Sequence, residues 1–140
     1  FRGTDHQVDT YFATGERRLK LREGNIENAL ISYERKNTAN AKLSEVTLYK
    51  HEPDPALKRI LSTHLGIRKV VDKFRKIYFI ENVKFHFDEV KGLGFFVEVE
   101  AIDRDNSFSI DALKAQCEKY FEFFGFERSM LTKDSYSDLV

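Results

Sequence analysis

Polar and apolar side chains alternate with period two along most of this chain, and that spacing predicts strands. Val8 to Ala13, Arg18 to Arg22, Leu30 to Arg35 and Leu43 to Tyr49 read as the first four. Three longer runs follow: Arg68 to Phe79, Val83 to Val90, and Phe95 to Ala101. Gly15–Glu16, Glu81–Asn82 and Gly92–Leu93–Gly94 supply turn chemistry between neighbours. Two stretches switch to helical spacing. Pro55 to Leu65 puts Leu57, Ile60, Leu61 and Leu65 on one side and stops at Gly66, a residue suited to a C-terminal cap. Ile110 to Phe124 does the same with Leu113, Cys117, Tyr120, Phe121 and Phe124, between a Ser109 or Asp111 cap and Gly125.

Seven strands joined mostly as hairpins, plus two helices, predict an α+β domain dominated by one antiparallel sheet that curls or closes. The irregular order of strands and helices excludes a doubly wound nucleotide fold. A length of 140 residues suits one domain. Thirteen Phe and six Tyr support the sheet assignment, since aromatic rings pack well on a pleated surface. Cys117 is the only cysteine, so no internal disulfide forms and a cytoplasmic location is expected. No apolar run reaches the ~20 residues of a membrane span, and the 23 basic and 23 acidic residues give no broad nucleic-acid surface.

What the balanced total hides is local order. Arg18, Lys20 and Arg22 share one strand face, with Leu19 and Leu21 on the other. Lys73 and Arg75 share a face opposite Phe74; His86 and Asp88 oppose Phe85 and Phe87; Glu98 and Glu100 oppose Val97 and Val99. A sheet with its charged face in water would accommodate this. Against that reading, the bases gather on some strands and the acids on the last two, where a solvated surface would intersperse them. If the sheet closes, the charges point inward, and buried unpaired cations need an anion. A polyphosphate supplies one, and the carboxylates would hold its divalent metal. In this reading Phe74, Phe85, Phe87, Val97 and Val99 form the outer face under helices or neighbouring elements.

Other motifs carry less. Gly92–Leu93–Gly94 leads into a strand and offers no helix N-terminus for phosphate. His86 beside Asp88 has metal-ligand chemistry, but a lone strand histidine is more often structural. Tyr33 reads as core and Cys117 as a small buried residue.

Several stretches together resemble the CYTH domain of triphosphate tunnel metalloenzymes. They are Gln7–Val8–Asp9–Thr10–Tyr11–Phe12, Arg18–Leu19–Lys20–Leu21–Arg22, Tyr33–Glu34–Arg35, Lys73–Phe74–Arg75, and the run from Phe87 through Gly92–Leu93–Gly94 to Glu98–Val99–Glu100. The closing Ser135–Tyr136–Ser137–Asp138–Leu139 is similar to the class IV adenylate cyclase branch. The resemblance implies an eight-stranded antiparallel tunnel, with residues 1–140 as a single CYTH-like domain lacking the family's first strand and first helix. It implies that Arg18, Lys20, Arg22, Arg35, Lys73 and Arg75 grip a nucleoside or inorganic triphosphate, and that Asp88, Glu98 and Glu100 hold Mg²⁺ or Mn²⁺. Lys73, Arg75 and Glu98 would carry the catalysis. The activity implied is conversion of ATP to cyclic AMP and pyrophosphate, or hydrolysis of inorganic or thiamine triphosphate, or nucleotide binding without turnover. The family's first strand reads Glu-x-Glu-x-Lys; it is expected roughly 25 to 50 residues before Gln7, given ordinary connection lengths. Without it the barrel is open on one side, or closed by a homodimer partner's segment.

Overall fold

The computed structural model describes residues 1–34, 45–103, 105 and 107–124. Its strands are β1 (Gly3–Phe12), β2 (Arg18–Gly24), β3 (Ala29–Tyr33), β4 (Val46–Lys50), β5 (Ile67–Ile80), β6 (Val83–Val90) and β7 (Gly94–Ala101). Its helices are α1 (Pro55–Leu65) and α2 (Ile110–Phe123). All seven strands join one antiparallel sheet in the order β4-β3-β2-β1-β5-β6-β7, curled into a half-barrel. Among the described residues the edge strands β4 and β7 do not pair with each other.

Each hairpin is local except one. β1 lies between β2 and the distant β5, and its ladder with β5 runs from Gly3 opposite Ile77 to Phe12 opposite Ile67. That pairing extends β1 five residues before the predicted start at Val8. Thr4, Asp5, His6 and Gln7 show no apolar alternation, but the long partner strand satisfies their backbone groups. The β6–β7 turn has Gly92 and Gly94 at φ 84° and 102°, backbone that glycine adopts without steric cost.

The helices follow their sequence signals. Asp54 accepts from the Ala56 N–H at the start of α1, and Ser109 accepts from Ala112 at the start of α2. Gly66 closes α1 with its N–H on the Ser62 carbonyl. Reciprocal amide bonds of 2.9 and 2.8 Å between Asn82 and Gln116 tie α2 to the β5–β6 turn.

The charged positions do lie opposite the expected apolar ones, but the apolar face is only partly covered. Phe85 is buried against the edges of Tyr120 and Phe124, and Phe87 meets Phe124 and Tyr78. A fully buried side chain of this size contributes about 1.5–3 kcal/mol. Phe74 is 51% exposed and Val97 is also exposed, contrary to expectation. Outside β5 the described elements supply Phe74 with the His6 ring, stacked at 4.5 Å, and no helix. Of the predicted α1 stripe, Ile60 and Leu65 are exposed and only Leu57 and Leu61 are half-buried.

Candidate functional site

The inner face of the half-barrel is apolar at its corners and charged along its middle. Tyr11, Val71 and Val90 pack with Leu93 and Phe96 at one corner, and Ala29, Ile31 and Tyr33 form another cluster on β3. Between them lie Asp5, Gln7, Asp9, Arg22, Lys73, Arg75, Lys84, His86 and Asp88, all buried.

Asp9 is the hub. Register sets it directly across from Arg22, whose Nε and Nη2 each donate to it at 2.9 Å. Lys73 Nζ donates from the opposite neighbour β5 at 2.6 Å, and Lys20 Nζ lies at 3.9 Å. Three cations therefore converge on one carboxylate. Burial alone raises the Asp9 pKa, but Arg22, Lys73 and Lys20 outweigh it and hold the carboxyl well below the usual range. The same crowding acts oppositely on the lysines. Burial, with Arg22, Lys73 and Arg75 near, pushes Lys20 down to about 7 despite Asp9. Lys73 falls to about 8, through burial and then Arg75 and Arg22, against the pull of Asp9. Lys20 also lies over the Tyr11 and Tyr33 rings, at 5.5 and 5.3 Å.

Arg75 sits opposite Asp88 and grips it with two parallel bonds of 2.8 and 2.7 Å, the bidentate geometry that suits a guanidinium. Its Nη2 is also 3.6 Å from Glu98. His86 faces Glu98 across β6 and β7, with Nδ1 at 2.9 Å from Oε2, and its Nε2 lies 3.7 Å from Glu100. Burial and then Arg75 lower the His86 pKa against the pull of Glu98, so the imidazole is neutral at neutral pH. One ligand atom each from His86, Asp88 and Glu98 falls within 4.8 Å of the others.

A third group supports these two. Asp5 accepts the backbone N–H groups of Asn25, Ile26 and Glu27 at 2.8 to 2.9 Å and the Gln7 amide at 2.8 Å. This fixes the β2–β3 turn and aims Glu27 at Lys84, 2.6 Å away, and at Arg22, 3.5 Å away. Gly24 makes the approach possible, because a Cβ there would lie 2.7 Å from Asp5 Oδ1. Burial raises the Glu27 pKa, but Lys84 and then Arg22 bring it down to about 2.

The structure thus brings Lys20, Arg22, Lys73, Arg75, Asp88, Glu98 and Glu100 onto one face. Arg18 lies half-buried at the end of β2, beside a cavity of about 540 Å³ lined also by Arg17, Arg68 and Tyr11. Arg35 lies outside the described residues. The expected separation of signs by strand is corrected: acidic β1 runs between basic β2 and β5, so carboxylates supply much of the counter-charge. Sequence reasoning passed over Asp5, Gln7, Asp9, Glu27 and Lys84. For the first three the signal was there, as polar side chains at i, i+2 and i+4 of one strand. Arg68 it would have put on the wrong face. The ladder slips between Tyr11 and Phe12, Arg68 becomes the unpaired extra residue, and its guanidinium turns inward over Tyr11 at 5.8 Å.

The CYTH domain profile matches residues 2–127. The chain belongs to the CYTH domain family. No curated protein matches this CYTH domain in sequence. Solved structures do match its fold. The PH1012 protein of Pyrococcus horikoshii OT3 superposes with a TM-score of 0.82 at 21% identity, covering 99% of this chain and 84% of that one. A conserved hypothetical protein of Pyrococcus furiosus gives 0.81 at 19% identity, over 100% and 85%. A candidate adenylate cyclase of Vibrio parahaemolyticus gives 0.70 at 18% identity, over 99% and 81%. Among the described residues of this CYTH domain no helix is long and apolar enough to cross a membrane.

Proposed function

We propose that this CYTH domain grips a linear triphosphate on its concave face and, with a divalent cation, acts on it as an enzyme, converting ATP to cyclic AMP and pyrophosphate. One observation carries the reading: Lys20, Arg22 and Lys73 converge on the carboxylate of Asp9, with Glu27 3.5 Å from Arg22 beside it, and burial together with the neighbouring cations pushes Lys20 down to about 7. A multiply charged anion suits that cluster. Family membership and the Vibrio relative described as a candidate adenylate cyclase support the choice of triphosphate and reaction.

Lys20, Arg22, Lys73 and Arg75 would bind phosphate oxygens, with Arg18 and Arg35 extending the grip. Lys73 and Arg75 would also stabilise the charge that builds on the attacked phosphorus, so that catalysis is mostly positioning and electrostatics. A bound Mg²⁺ or Mn²⁺ would neutralise phosphate charge in the same step. The donor set fits such an ion: Glu98 and Glu100 are 41% and 51% exposed, next to His86 on the same face. Asp88, held by both oxygens on Arg75, would stand behind them and orient that guanidinium.

The deciding experiment is incubation of the protein with ATP, tripolyphosphate and thiamine triphosphate, each with Mg²⁺ or Mn²⁺, followed by product identification. Cyclic AMP with pyrophosphate from ATP is expected. Orthophosphate as the sole product would replace the cyclase reading with a hydrolase on the same residues. Binding without products would leave a nucleotide-binding module.

A further inference from the structure

His86 is 3% exposed in the middle of β6, and its two ring nitrogens face different carboxylates. Nδ1 lies 2.9 Å from Glu98 Oε2. A carboxylate only accepts, so in the neutral ring Nδ1 carries the proton and Nε2 a lone pair. That Nε2 is buried and has no hydrogen-bond partner among the described residues. Its neighbour across the gap is Glu100 Oε2 at 3.7 Å, another acceptor. Two electron-pair donors thus face each other across 3.7 Å. Buried polar atoms are almost always satisfied, and a cation between the two would satisfy both donors at once.

We propose that His86 Nε2 and Glu100 are ligands of a divalent transition-metal ion, with Glu98 holding the imidazole in its metal-binding tautomer. Metal bonds of about 2.1 Å to imidazole nitrogen and carboxylate oxygen put two such donors roughly 3 to 4 Å apart. The Glu98–His86 contact has the form usual for metal-bound histidine, whose second nitrogen donates to a carboxylate. Asp88 is less available as a ligand, because both of its oxygens already accept from Arg75. A nitrogen donor selects among ions. Mg²⁺ takes oxygen ligands in a strict octahedron, whereas Mn²⁺, Co²⁺ and Zn²⁺ accept imidazole. The site therefore favours Mn²⁺ over Mg²⁺. This inference rests on the proposal that the acidic end of the face takes a divalent cation, and it adds the ligand that sets which one.

The test uses the full chain and MnCl₂, without triphosphate. Bound Mn²⁺ is counted from loss of the free-ion electron paramagnetic resonance signal, and its ligands are read from electron spin-echo modulation. Expected are ¹⁴N modulation in the wild type, loss of it in His86→Gln, and about tenfold weaker Mn²⁺ binding in Glu98→Gln, as for other supporting carboxylates. Glu100→Gln, at a half-exposed position that leaves the fold intact, weakens Mn²⁺ binding and retains the modulation. Bound Mn²⁺ without ¹⁴N modulation overturns the histidine ligand and leaves the metal reading standing. No Mn²⁺ binding overturns both.

Discussion

Around Asp9 two buried cations and the half-buried Lys20 converge on one carboxylate; around His86 two half-exposed carboxylates share one neutral imidazole and part of the charge of Arg75. Among the described residues the first region holds more cations than carboxylates and the second more carboxylates than cations. They sit on the same face and meet at the single β5–β6 ladder, because β2, β1 and β5 hold the first and β6 and β7 the second. A protein that only needed to satisfy its own charges would pair the two deficits with each other. Keeping them apart is costly, and it prepares two adjacent subsites of opposite sign, one for phosphate and one for a metal. They also differ in rigidity. The cation cluster is locked by short bonds from two neighbouring strands, whereas Glu98 and Glu100 retain solvent contact and room to rearrange on a ligand.

Removing the shared carboxylate breaks the comparison most severely. Asp9→Asn removes the carboxylate on which Lys20, Arg22 and Lys73 converge, and is expected to cost about 3–5 kcal/mol in urea denaturation. Glu100→Gln at the other end should stay within about 0.5 kcal/mol of wild type. Tripolyphosphate at a hundred times its Kd should return about 2.7 kcal/mol to any variant that still binds it. An Asp9→Asn protein as stable as wild type would show that the cluster is not short of anions.

The next largest effects separate binding from metal dependence. Lys73→Ala should weaken metal-free tripolyphosphate binding by about 1.5–3 kcal/mol, the range for a charged hydrogen bond, read by calorimetry. Glu98→Ala and Glu100→Ala should leave that metal-free binding unweakened and abolish metal-dependent turnover. Full metal-dependent activity in both glutamate variants would remove the metal subsite from the second region.

Glu27 provides a reference between the two, because Lys84 has this carboxylate as a close partner at 2.6 Å. Its pKa falls from the ordinary 4.5 to about 2, so its contribution to stability is present above pH 4.5 and is lost as pH falls towards 2. Glu27→Gln should flatten the acid limb of the stability curve by up to about 1.4 kcal/mol per pH unit. An unchanged acid limb would mean that Glu27 is solvated and the Lys84 contact is incidental.

Strand periodicity made one half of this site readable and hid the other. Lys20, Arg22, Lys73, Arg75, Asp88, Glu98 and Glu100 share a face because each strand alternates, and alternation is local. Which charge meets which is not local. Asp9 becomes the hub only because β1 pairs with β5, about sixty residues on, and nothing in a 140-residue string announces that ladder. Arg68 escapes for the opposite reason: a single unpaired residue in the ladder inverts the side-chain sense that periodicity assigns. His86 was visible as a residue, but its meaning lies in an Nε2 that the packed β6–β7 pair buries without a hydrogen-bond partner among the described residues.

The smallest expected effect is also the most selective probe of the cation cluster. Free Lys20 titrates near pH 7, facing Asp9 from β1, Arg22 on its own strand, Lys73 and Arg75 from β5, and the Tyr11 and Tyr33 rings. The unfolded lysine titrates near 10.5, so between these values the folded chain binds fewer protons than the unfolded one and its stability rises with pH. Triphosphate binding has the opposite sign. An anion beside Lys20 favours its charged form, so binding takes up a proton above pH 7 and weakens as pH rises, by at most about tenfold per unit for one proton. The ligand's own titration contributes too, and Lys20→Arg cancels it, since the ligand is unchanged and arginine stays charged. Calorimetry of tripolyphosphate binding at pH 6 to 9, in buffers of different ionisation enthalpy, should show proton uptake in the wild type that is smaller in Lys20→Arg. Equal uptake in both proteins would place the bound phosphates away from Lys20, and with it away from the end of the face where cations outnumber their partners.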